Sequence, residues 1–199
     1  IKEIHMLGRR GPAQAAFTNP EIKELGELEG ADIRVFEEEA ALDPVSQEWV
    51  DAGMDKSAPR KVGILQRYAV EKRFGKPRTL TVRFLVSPVE LSPGEDGGVT
   101  RVKLVKNELY RNERGTIRPR ATEHFEDLEA GVVFRSVRYR GVALPDVPFR
   151  DDWGVIPHAA GRVLDSPEGE HLEGQYCAGW IKRGPTGVIG TNKPDALET

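Results

Sequence analysis

Cysteine is nearly missing from this chain: Cys177 is the one thiol in 199 residues. An internal disulfide is therefore excluded, and a reducing, cytoplasmic setting is expected. Cys177 lies in an apolar run and reads as a packed thiol, not a reactive one. The four histidines, His5, His124, His158 and His171, show no metal-ligand spacing, so no metal is expected. No apolar run approaches the length of a membrane span. Basic residues are not in surplus, with 29 Lys and Arg against 32 Asp and Glu and a net charge of −3, which argues against a nucleic-acid partner. No secretory signal is visible, and the chain opens Ile-Lys-Glu-Ile-His without Met, so an upstream part is expected. With a mean hydropathy of −0.48, the composition is that of a soluble, charge-rich protein long enough for one or two domains.

Glycine is plentiful where it counts. Residues 176–193 read Tyr-Cys-Ala-Gly-Trp-Ile-Lys-Arg-Gly-Pro-Thr-Gly-Val-Ile-Gly-Thr-Asn-Lys. The apolar run before Gly179 reads as a short strand. Gly179, Gly184, Gly187 and Gly190 then let the backbone turn sharply and come close to a ligand. Free backbone N–H groups leading into a helix start favour an anion or a carbonyl. A surface turn is the plainer account of most glycine clusters, but Trp180, Lys182, Arg183 and Pro185 make this one too particular. A second block, Leu7-Gly8-Arg9-Arg10-Gly11-Pro12 with Gln14, Ala16, Phe17 and Thr18, follows a short strand at 4–7. In a dinucleotide-binding fold the end of the second strand faces the adenine ribose, where an acidic residue reads NAD and arginine reads the 2′-phosphate of NADP. The planar guanidinium suits that task because it can donate two parallel hydrogen bonds to phosphate oxygens. A bare Arg-Arg pair is more often only solvated.

Together these blocks resemble the adrenodoxin-reductase-like family of ferredoxin–NADP reductases. That family carries Gly-Trp-x-Lys-Arg-Gly-Pro-x-Gly-x-Ile, which residues 179–189 match position by position. The resemblance covers nearly the whole chain, with patchy stretches at 37–58 and 92–125. It implies an α/β, glutathione-reductase-like flavoprotein fold with two dinucleotide-binding domains. Residues 1–140 would form most of the NADP domain, with an antiparallel β insertion, and 141–199 the C-terminal piece of the FAD domain. It implies an NADPH-dependent reductase passing electrons through FAD to a ferredoxin-type iron–sulfur protein. Arg9, Arg10 and Glu21 would hold the NADP adenosine end; Trp180, Gly187, Val188 and Ile189 would line the flavin. No side chain is expected as general base or nucleophile, since the redox chemistry belongs to the cofactors. The family usually has Gly-Tyr where this chain has Arg138 before Tyr139. No Gly-x-Gly-x-x-Gly occurs, so the first strand and phosphate loop are expected upstream, and residues such as Val155, Ile156, Trp180 and Ile189 are expected to be left uncovered. Two alternatives stand beside this reading: a flavin subunit channelling electrons to another enzyme, and a non-catalytic nucleotide-binding fragment. A flavin absorbance spectrum separates the last from the others.

Along the chain, Asn19-Pro20-Glu21 predicts a helix start with Asn19 as cap, continued by Ile22, Leu25 and Leu28 at helical spacing. A strand is expected at 31–36, a solvated acidic patch at 37–41, and helices at 46–52 and 60–74. Arg60, Lys61, Arg67, Lys72 and Arg73 make the last helix basic. That is usually a solvated face, with docking of an acidic electron carrier as the less common alternative. Clean alternation predicts a strand at 79–87, with a hairpin partner at 99–110. Residues 112–123 read as loop, the β-branched run 132–137 as a crossing between domains, and 161–164 and 175–178 as short strands.

Overall fold

The first 83 residues alternate strand and helix, as a parallel sheet demands, because parallel neighbours need crossover connections. β1 (Glu3–Leu7), β2 (Asp32–Val35) and β3 (Thr79–Arg83) are parallel in the order β1-β3-β2. Four helices lie between them: α1 (Asn19–Gly26), α2 (Glu37–Ala40), α3 (Pro44–Asp51) and α4 (Ala58–Val70). The structure is a computed structural model that describes residues 1–72, 74–136, 139–187 and 189–199, without the side chain of Ile189. Expectations that fell on Arg73, Val137, Arg138 and Val188 lie outside the described residues. The chain divides into two units, Ile1–Val133 and Phe134–Thr199.

In the first unit, Ile22, Leu65, Tyr68, Val82 and Phe84 form the core, with Met6, Phe17 and Leu25 packed against it. Burial of a side chain such as Ile22 or Leu65 stabilises the fold by about 1.5–3 kcal/mol each. The cap of α1 lies one residue before the expected Asn19. Thr18 and Glu21 form a reciprocal capping box, and Pro20 sits in the first turn. Helix α4 starts at Ala58 and ends at Val70, shorter at its C-terminal end than expected. The acidic run at 37–41 is solvated only in part: Glu37 and Glu38 are exposed, but Glu39 is buried. Residues 37–40 form α2, and Glu39 turns inward, where it holds Arg83 Nε at 2.8 and 3.0 Å and accepts the Phe84 N–H at 2.8 Å.

The strand expected at 79–87 breaks in two. Leu85 has φ 57°, which ends β3 and starts a second sheet with β4 (Val86–Pro93). β4, β5 (Val99–Arg111) and β6 (Ile117–Glu129) run antiparallel in that order. β6 replaces most of the loop expected at 112–123. Its polarity on both faces hid it, and exposed pairs such as Arg120–Glu108 at 2.6 Å and Arg101–Asp127 at 3.4 Å join it to β5. Residues 132–136 carry no strand.

The second unit holds a small antiparallel sheet of β7 (His158–Ala159), β8 (Arg162–Leu164) and β9 (His171–Tyr176), with two short helices, α5 (Trp180–Arg183) and α6 (Asn192–Glu198). Ile156, Val163 and Cys177 are its core, against Val147, Phe149, Leu172 and Ile181. Val155 and Ile156, expected to be uncovered, are buried inside this unit. No helix among the described residues is long and apolar enough to cross a membrane.

Candidate functional site

The Arg9–Arg10 loop is fastened through its backbone. After β1 ends at Leu7, the Gly8 N–H donates to the Arg83 carbonyl at 2.9 Å, and the Gly8 carbonyl accepts from the Val86 N–H at 3.1 Å. The Arg10 carbonyl accepts from the Leu85 N–H at 3.2 Å. The Arg9 carbonyl accepts from the side-chain amide of Asn107 at 3.1 Å. Three consecutive carbonyls are thus tied down while both arginine side chains remain exposed. Among the described residues neither guanidinium has an ion-pair or hydrogen-bond partner. Desolvation by its surroundings and the like charges of Arg9 and Arg118 hold Arg10 below the ordinary arginine range. Such mutual repulsion is relieved by an anion, so the loop can take a phosphate.

The rest of that motif anchors the loop downstream. Pro12 and Ala13 are buried in a single 3-10 turn, Pro12–Gln14. The Gln14 amide donates to Ser46 Oγ at 3.0 Å, and Ser46 Oγ donates to Asp43 at 2.6 Å, at the start of α3. Glu21 is not brought to the arginines by any contact among the described residues. Its carboxylate accepts the Thr18 N–H at 2.6 Å and the Thr18 hydroxyl at 3.0 Å, and these bonds, the backbone one first, hold it below the ordinary Glu range.

In the second unit the glycine-rich stretch is bonded to the chain that follows it. Gly179, with φ 75°, precedes α5, and its N–H donates to the Asp195 carboxylate. The free N–H groups expected at this helix start are therefore not all free: an internal carboxylate fills the first. Asp195 is held below the ordinary Asp range by that backbone bond first and then by Lys182 and Arg183. Lys182 is buried, with Nζ 2.9 Å from Glu198, 3.1 Å from the Thr199 hydroxyl and 3.4 Å from Asp195. Arg183 reaches Asp195 at 3.1 Å and the side-chain Oδ1 of Asn192 at 2.7 Å. The Lys-Arg pair of the motif thus holds α6. Trp180 remains 44% exposed and lies against Tyr139, ring centroids 5.3 Å apart, leaving an aromatic surface open. Gly187 has φ 81°, and a β-carbon there would run into the Thr191 side chain, so local packing alone requires glycine. Of the expected flavin-side residues, Val188 lies outside the described residues and Ile189 opens a 3-10 turn, Ile189–Thr191.

No protein-family model matches the chain. It is 42% identical over 199 residues to the NADPH-ferredoxin reductase FprA of Mycobacterium tuberculosis, covering 100% of this chain and 41% of that protein. It is 37% identical to the human mitochondrial NADPH:adrenodoxin oxidoreductase, with 100% of this chain and 40% of that protein covered. The solved structure of Mycobacterium tuberculosis FprA in complex with NADPH matches with a TM-score of 0.86 and 42% identity, over 100% of this chain and 41% of that one. The chain is a homologue of the adrenodoxin-reductase-like ferredoxin–NADP reductases. Its fold is that of these two-dinucleotide-binding-domain reductases, the α/β class expected from the sequence. It spans about two-fifths of the length of the curated relatives it matches.

Sequence reasoning missed Asn107, the Glu39–Arg83 pair and the strained Leu85. Asn107 left one faint trace: asparagine is depleted in strands, so one inside an alternating segment asks for a reason. Leu85 and Glu39 left none.

Proposed function

We propose that this chain supplies the NADP-reading part and a flavin-side segment of an NADPH-dependent flavoprotein reductase that serves a ferredoxin-type iron–sulfur protein. The division is that of residues 1–140 for NADP and 141–199 for the FAD domain, and a cytoplasmic setting goes with it. The observation that carries the reading is the Arg9–Arg10 loop at the end of a parallel strand, its backbone fixed and its guanidinium charges unpaired among the described residues. Arg9 and Arg10 would hold the 2′-phosphate of NADP, with Glu21 at the start of α1 near its ribose. Trp180, Gly187, Val188 and Ile189 would line the flavin, the exposed Trp180–Tyr139 surface being suited to a flat ring. When bound, FAD would accept hydride from NADPH and release single electrons to the iron–sulfur protein. The names of the relatives support NADPH as donor and an iron–sulfur protein as acceptor, since they mention NADPH, ferredoxin and adrenodoxin.

Replacing both Arg9 and Arg10 with Gln tests it. Each lost charge-assisted bond to the phosphate should cost roughly 1.5–3 kcal/mol of NADPH affinity. NADH, which lacks that phosphate, should bind as before. Equal weakening of both cofactors in steady-state kinetics would make the pair structural and remove the assignment.

A further inference from the structure

The antiparallel sheet of β4, β5 and β6 reaches the arginine loop through one side chain. Asn107 is buried, and its amide nitrogen donates to the Arg9 carbonyl at 3.1 Å and to Ser87 Oγ at 2.8 Å. Its backbone N–H donates to the Leu85 carbonyl at 2.7 Å, and Leu85 in turn donates to the Arg10 carbonyl. Asn107 follows an irregularity in the ladder: Val105 pairs with Phe125, but Asn107 pairs with Ala121. Such bulges re-aim the side chains beside them. Leu85 occupies the left-handed region at φ 57°, a conformation that costs a non-glycine residue free energy and persists only where its surroundings dictate it. A buried asparagine, a bulge and a strained leucine therefore converge on the carbonyls of two consecutive arginines that themselves remain exposed. Neither arginine belongs to a core cluster, so the fixing falls on a segment whose charged side chains lie at the surface.

We propose that Asn107 is a positioning residue for cofactor discrimination: by holding the Arg9 carbonyl it sets the two guanidinium groups for the 2′-phosphate of NADP. The inference rests on the NADP reading above. It gives the antiparallel sheet, an addition to the nucleotide-binding core, a part in specificity. Ser87 orients the Asn107 amide by accepting its second hydrogen. Without Asn107 the loop keeps its bonds to Arg83, Leu85 and Val86, so the strand order survives while the guanidinium geometry loosens.

The test is calorimetric titration of the complete protein with 2′,5′-ADP and with 5′-AMP, which lacks the 2′-phosphate. In Asn107→Leu, affinity for 2′,5′-ADP should fall roughly tenfold, the worth of about one lost hydrogen bond, and 5′-AMP affinity should stay within about twofold. The dependence of 2′,5′-ADP binding on salt should also flatten as the charges disengage. Ser87→Ala, a milder change, should give a smaller loss confined to 2′,5′-ADP, and it decides the matter if Asn107→Leu does not fold. Equal loss for both nucleotides, or loss for neither, overturns the inference while Arg9→Gln with Arg10→Gln still shows selective loss. If that arginine double variant shows no selective loss, the NADP reading itself fails, and this inference fails with it.

Discussion

Arg83 shows how single residues hold the first unit together. The residue is 6% exposed. Glu39 grips it at 2.7 Å, Glu126 at 2.6 Å, and the Phe36 ring lies 4.7 Å from it. Burial opposes the charge, but the hydrogen bonds Arg83 donates to Glu39 and Glu126 outweigh it and raise Arg83 above the ordinary arginine range. Glu39 comes from α2, Glu126 from β6 and Arg83 from β3, so one cation joins the parallel and antiparallel sheets. Removing one partner leaves a buried charge incompletely matched, which costs more than the intact pair contributes. Glu39→Ala should destabilise the protein by about 3 kcal/mol, partly through the orphaned Phe84 N–H, and Glu126→Ala by less because Glu126 is partly solvated. Urea denaturation midpoints check this; a Glu39→Ala midpoint matching the parent would mean that water replaces the carboxylate at no cost.

At the scale of elements, what was legible in the sequence was what carries a period. α4 and β3 bury apolar residues, β1 packs Met6 and Leu7 against the cores, and these apolar residues mark them. α2 and β6 were misread because the charges that identify them have partners far away in the chain: Glu39 with Arg83, Glu126 with Arg83, Arg120 with Glu108. The site was legible to the same extent. Arg9 and Arg10 stand in a motif, whereas Asn107, nearly a hundred positions later, reaches them only through the folded sheet. Asp32, at the start of β2, is another distant pairing. Burial would raise its carboxyl, but the N–H groups of Lys76, Phe74 and Gly75 prevail and hold it below the ordinary Asp value of 3.8. A carboxylate depressed in the folded state contributes stability that is present above the unfolded value and lost as pH falls through the folded one. The contribution of Asp32 should therefore be level above about pH 5 and decline from about pH 4 downward. In Asp32→Asn that part of the decline should be missing, and the variant should already be weaker at neutral pH. Parallel acid-unfolding curves for the two proteins would remove Asp32 from the account.

For the molecule as a whole, the docking of an electron carrier would be governed by charge. The net charge of −3 gives no overall attraction to an acidic partner, so any attraction must be local. The basic helix α4 is the candidate from the sequence, but it is less basic outside than its composition says. Lys61 is 4% exposed, its Nζ donates to the Ala15 carbonyl at 2.6 Å, and desolvation lowers its pKa. It fastens α4 to the segment after the arginine loop and cannot meet a partner. Arg60 and Arg67 are exposed, and Arg67 makes a loose 4.0 Å pair with Glu71 and lies 5.2 Å from the Tyr68 ring centroid. If α4 docks an acidic iron–sulfur protein, the attraction comes from these two and is screened over about 8–10 Å at physiological salt. Reduction of such a carrier should then slow as salt rises, and reduction of a small neutral dye should not. Arg60→Glu with Arg67→Glu should slow the carrier reaction at low salt and flatten its salt dependence, with the dye reaction unchanged. Lys61→Met should behave differently, altering thermal stability but not the salt dependence. Carrier reduction unaffected by the double reversal, at every salt concentration, would place the docking surface elsewhere than α4.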